Sequence, residues 1–199
     1  MKVFYSSGSS GKELLEYFYN FILNRSNSNF KSLVLVRNDA QVKFLTLLFK
    51  KNHEKVLSLV VFNTLNKISE IELKDDVPCV VFNCVRSESD LEKISSLKNV
   101  NLLFFIIHKS EIEHISQVFL PINYVKIKIS IVPYEELVKA IQSSQELYSN
   151  AVNAYKAYVV NYSTSYWKPE LYDLKTISQQ FGLPAPVRVN ELFDSENKN

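Results

Sequence analysis

Asn101-Leu102-Leu103-Phe104-Phe105-Ile106-Ile107 sets six apolar residues in succession behind one asparagine. A strand with one wet face alternates apolar and polar residues, so an unbroken run describes a strand buried on both faces. Ser32-Leu33-Val34-Leu35-Val36, the stretch 56–62 and Val77-Pro78-Cys79-Val80-Val81-Phe82 repeat the pattern, and Val3-Phe4-Tyr5 precedes them. Val125-Lys126-Ile127-Lys128-Ile129 alternates instead, which predicts a half-solvated edge strand closing the series. Between the runs lie helical spacings: Leu14, Leu15, Phe18, Tyr19 and Ile22 after Ser9 and Ser10; Val42, Leu45, Leu48 and Phe49 after Asn38 or Asp39. Leu91, Ile94 and Leu97 follow Ser87 and Ser89, and Ile112, Ile115, Val118 and Phe119 follow Ser110. Ile68, Ile71 and Leu73 support a short helix at best. Strands alternating with helices imply parallel pairing through right-handed crossovers, hence an α/β three-layer sandwich with a mostly parallel sheet over residues 1–132.

Residues 133–199 read differently. Leu137, Ile141, Leu147, Tyr148, Val152, Tyr155 and Val159 predict either one helix of about 40 Å at 1.5 Å per residue or two broken near 143–149. Leu174, Ile177 and Phe181 predict a short helix that Gly182 ends at its C′ position, with Pro184 two residues on. Pro184 and Pro186 keep the following stretch extended, because proline disfavours the α region in the residue before it. The second segment is therefore a helical extension with an extended proline-containing tail.

Length and composition bound the function. The chain has 199 residues, of which 46% are hydrophobic, and 23 basic side chains stand against 21 acidic ones. A net charge of +2 neither predicts nor excludes a nucleic-acid partner. Two cysteines make no disulfide scaffold, so a reducing compartment is expected. No run of 18 apolar residues and no signal-type apolar core exists, so a soluble intracellular chain with no membrane partner is expected. Glycine is scarce: Gly8, Gly11 and Gly182 stand where ordinary usage gives about fourteen.

The stretch 6–12, Ser-Ser-Gly-Ser-Ser-Gly-Lys, follows a strand and opens a helix, the layout of a phosphate loop using Gly8, Gly11 and Lys12. Two departures weigh against it. Ser6 stands where that loop needs glycine, and Glu13 stands where it needs a hydroxyl for Mg²⁺. A linker capping a helix fits better, leaving a reduced nucleotide hydrolase as the alternative. Cys79 and Cys84 straddle a strand and should face opposite ways as core residues. His53, His108 and His114 supply no pair at metal spacing, so no metal, no cofactor and no small-molecule substrate are expected. Tyr155, Tyr158, Tyr162, Tyr166 and Trp167 lie near Lys156 and Lys168. Such rings either pack the extension onto the sheet layer or stack RNA bases at about 1–3 kcal/mol each, with Lys156, Lys168 and Arg188 touching phosphates.

Residues 153–159, Asn-Ala-Tyr-Lys-Ala-Tyr-Val, and 174–190, ending Phe-Gly-Leu-Pro-Ala-Pro-Val-Arg-Val-Asn, resemble the C-terminal extension of nucleolar DEAD-box RNA helicases that act in ribosome assembly. In that likeness Tyr155, Tyr158, Tyr162, Trp167, Phe181, Gly182, Pro184 and Pro186 dock the tail. Upstream, Ser32–Val36 with Arg37 and Asn38 resembles helicase motif IV, which makes Arg37 and Asn38 RNA-binding candidates. Val77–Val85 falls at motif V. The resemblance implies a RecA-like second helicase lobe. It also implies loss of catalysis: Asn83-Cys84 replaces the Thr-Asp of motif V, and no His-Arg pair supplies an arginine-finger motif. Such fingers contribute roughly 10³–10⁵ in rate, and the first lobe with its phosphate loop is expected to be missing too. The expectation is a pseudo-helicase without catalytic residues, nuclear and nucleolar, bound to pre-ribosomal RNA and assembly proteins of large-subunit precursors. A lobe completing a separate first lobe in trans is the other alternative.

Overall fold

The computed structural model describes residues 1–26, 31–71, 76–85, 87–126, 131–163 and 174–189, without the side chains of residues 26, 162 and 163. β1 (Lys2–Gly8), β2 (Ser32–Val36), β3 (Val60–Thr64), β4 (Val77–Phe82), β5 (Val100–His108) and β6 (Ile122–Tyr124) form one sheet in the order β3-β2-β4-β5-β1-β6. Every pairing is parallel. α1 (Gly11–Ser26) and α2 (Asp39–Asn52) carry the chain leftward along that order, whereas α3 (Glu88–Ser95) and α4 (Ile112–Val118) carry it rightward. Right-handed crossovers in opposite directions put the two pairs on opposite faces.

Side-chain alternation fills both faces. In β5, Leu103, Phe105 and Ile107 join Leu91, Ile94 and Ile115, while Phe104 and Ile106 join Phe18, Leu15 and Phe44. In β2, Leu33 and Leu35 point one way and Val34 and Val36 the other. The unbroken apolar run thus meets the doubly buried environment it predicts. Cys79 and Cys84 depart from expectation by sharing one cluster. Asn83 between them takes φ 41°, and that left-handed residue resets the alternation. Burial pushes the Cys79 thiol well above its usual range.

Three strand and helix boundaries move. A 3₁₀ turn occupies Glu54–Ser58, so the strand expected from Val56 begins at Val60. Its length is set by its partner, because Ser32–Val36 pairs residue for residue with Val60–Thr64. The edge strand lies at Ile122–Tyr124, where it meets Val3–Tyr5, ahead of the alternating stretch that predicted it. Residues 127–130 lie outside the described residues. The expected helix near Ile68 is a 3₁₀ turn over Leu65–Glu70.

The extension divides at Ser143-Ser144 into α5 (Tyr134–Gln142) and α6 (Gln145–Ser163), with α7 (Leu174–Gln179) after them. All three pack on α1 and α2, and their buried residues complete the cluster on that face. At the end of α7, Gly182 N–H donates to the Gln179 carbonyl (3.1 Å) and Leu183 N–H to the Ser178 carbonyl (3.1 Å). With Gly182 at φ 67° and Leu183 buried, this is a Schellman stop at the glycine that the sequence marks.

Candidate functional site

In a parallel sheet all strand carboxyl ends share one edge, and ligands of open α/β folds bind outside it where the strand order reverses. Here β1, β2, β4 and β5 deliver Ser9, Arg37, Asn83 and His108 to that edge. Arg37 follows β2 directly. Its Nη1 donates to Asp90 Oδ2 (2.9 Å) and to the Cys84 carbonyl (3.4 Å). Asn38 caps α2: its Oδ1 accepts from Gln41 N–H (3.0 Å), and the Gln41 side chain returns to the cap backbone. These two candidates are thus tied into the edge and not held free as a surface grip. Each still keeps a donor: among the described residues, Arg37 Nε and Asn38 Nδ2 are buried and meet no acceptor.

Asn83 anchors the extension. Its Nδ2 donates to Tyr158 Oη (3.0 Å) and to Gln180 Oε1 (2.6 Å), and the Tyr158 hydroxyl reaches the Asn83 carbonyl (3.4 Å). All three residues are at most 2% exposed. Gln180 Nε2 has no acceptor among the described residues. A buried donor left unmatched costs about 1–3 kcal/mol, and Arg37 Nε, Asn38 Nδ2 and Gln180 Nε2 all lie below the surface. Sequence reasoning flags Asn83 as a departure but misses its partners. The available signal is Tyr158, a polar tip inside an apolar stripe, which needs a hydrogen-bond partner when buried.

The β1–α1 turn is closed upon itself. Ser9 N–H and Oγ both donate to the Glu13 carboxylate (2.6 and 2.9 Å), and Glu13 N–H donates to Ser10 Oγ (3.3 Å). A Cβ on Gly8 would stand 3.0 Å from Glu13 Cβ, and one on Gly11 would drive into the Thr176 carbonyl of α7. Lys12 turns away, with its ammonium 5.3 Å from the centre of the Tyr134 ring. Gly8 and Gly11 permit close packing, and the donors that would face a phosphate already hold a carboxylate.

His108, which sequence reasoning leaves without a role, bridges this turn to the next helix. Its Nε2 lies 3.3 Å from the Ser9 carbonyl and its Nδ1 2.8 Å from Ser110 Oγ. Since a carbonyl can only accept, Nε2 carries the proton. Burial holds the ring's pKa below its usual 6.5.

Tyr155 and Tyr158 are buried on α6 and meet Phe181 edge-on at 6.3 and 5.6 Å between centroids, so this part of the tyrosine stripe is packing. Pro184 and Pro186 are exposed, contrary to a docking role. Leu183 and Val189 are the buried docking residues of the tail, with Val187 partly buried against them. Lys156 is half-buried and Arg188 exposed. Trp167, Lys168 and the side chain of Tyr162 lie outside the described residues. Among the described residues no group of three His, Cys, Asp or Glu side chains could hold a metal, and no helix is long and apolar enough to cross a membrane.

The fold is RecA-like α/β and matches the fold of a DEAD-box helicase domain. Among solved structures it is similar to Mss116p DEAD-box helicase domain 2 bound to an RNA duplex, with a TM-score of 0.56 over 92% of this chain and 88% of that one. Identity between them is 14%, so the likeness is one of fold. No protein-family model and no curated protein matches the chain.

Proposed function

We propose that this chain is a non-catalytic helicase-derived lobe that binds pre-ribosomal RNA and assembly proteins in the nucleolus, on large-subunit precursors. The observation that carries the proposal is the Asn83–Tyr158–Gln180 knot. At the strand end where the resemblance puts the residues that grip RNA and nucleotide, this chain holds its own extension. The scarcity of arginine supports the same reading, since Arg25, Arg37, Arg86 and Arg188 include none preceded by histidine. The neighbour's RNA duplex supports an RNA partner.

The test is fluorescence anisotropy with a labelled single-stranded RNA, run beside an ATP-turnover assay. RNA binds with modest affinity and a shallow salt slope, as the small net charge requires. Arg37→Lys keeps the charge but removes the planar fork, and weakens binding about threefold to tenfold. ATP turnover stays at the level of the buffer with RNA present. RNA-stimulated hydrolysis, or no RNA binding at any salt, contradicts the proposal.

A further inference from the structure

α1, α5 and α7 leave a groove of about 650 Å³ between the lobe and its extension. Lys12, Lys139 and Lys175 stand around it, one from each helix, and all three are exposed. One acid, Glu135, lies among them. Val138 and Pro184 give the groove an apolar floor, and Gln142 and Gln179 add neutral amides to its walls. None of these residues belongs to the carboxyl-edge cluster of Arg37, Asn38 and Asn83.

We propose that this groove is a docking site for an acidic peptide segment carrying an apolar side chain, contributed by a protein partner. Charge complementarity selects the carboxylates, because three ammonium groups face one carboxylate. The floor selects the apolar anchor, since Val138 and Pro184 offer aliphatic surface that a polyanion alone leaves unused. The glutamine amides match the donors and acceptors of a peptide backbone. RNA fits less well. The one aromatic ring of the lining, Tyr134, is 6% exposed and covered by Lys12, so no open face remains for a base to stack upon. The groove arises where α5 and α7 pack on α1, which makes it a property of the two segments together.

The experiment measures anisotropy of three labelled probes with the full chain: the peptide EEDLFEDE, octaglutamate, and an oligo(U) decamer. EEDLFEDE binds saturably and more tightly than octaglutamate. Lys139→Glu with Lys175→Glu, both at exposed positions, weakens it by about tenfold or more while the melting temperature stays in place. Val138→Ser retains every charge, weakens EEDLFEDE about threefold and leaves octaglutamate unchanged. Equal affinity for the two peptides overturns the proposal, since bare charge then explains binding. So does oligo(U) being the probe that the double variant loses, or EEDLFEDE failing to saturate. RNA binding at the carboxyl edge is read by Arg37→Lys, so the two sites stand or fall separately.

Discussion

Asn83 takes φ 41° where β4 hands over to the loop before α3, and asparagine tolerates that conformation better than most residues. The turn aims its amide at α6 and α7 while Cys84 and Val85 return to the core. The side chain therefore joins three distant parts of the chain through one buried knot. Tyr158→Phe keeps the ring contact with Phe181 and removes only the hydroxyl, leaving Asn83 short of an acceptor. The expected loss is about 1–3 kcal/mol in urea unfolding; an unchanged midpoint and slope would show that the hydroxyl is idle. At this scale the sequence discloses residue types but not partnerships. Helical spacing, a local pattern, sets Tyr155 and Tyr158 on one stripe, and the fold buries both rings. Gln180 lies 97 residues from Asn83, and no local pattern announces the bond between them.

Among the elements, α1 carries the most revealing surface. Leu14, Leu15, Phe18, Tyr19, Ile22 and Leu23 are all buried, more than one apolar stripe needs to cover a sheet. The excess faces the extension, whose α5 and α7 lie against it. Gly11 lets the α7 backbone approach the first turn of α1, so Gly11→Ala must push the two helices apart. The expected cost is about 1–3 kcal/mol. Amide exchange should quicken at Ile177 and Ser178 before it quickens at Leu91 and Ile94, and uniform quickening would refute this local account. Doubly buried strands were legible because their apolar runs exceed what one face can use. The limits of β3 and β6 were not, because an edge strand extends only as far as its single partner pairs with it. The division of α5 from α6 at Ser143-Ser144 was legible as one of two alternatives, and the serine cluster is where it falls.

For the whole molecule, the extension and the sheet layer share one hydrophobic cluster on the α1–α2 face, while the short α3 and α4 suffice for the other. That asymmetry follows from the crossovers: the two long helices leave a broad apolar face that three more helices cover. A three-layer α/β layout with a parallel sheet was readable from strand and helix alternation, whereas the site was readable only in part. Arg37 and Asn38 were placed at the right edge of the sheet, but their ties to Asp90 and Gln41 emerge only in three dimensions. The role proposed for this RecA-like fold is that of a docking shape on assembling ribosomes. Sedimenting cell extract through a sucrose gradient and detecting the full chain tests it most directly. Migration with large-subunit precursors, abolished by nuclease treatment, is the predicted result. Recovery confined to the ribosome-free fractions at the top would contradict it.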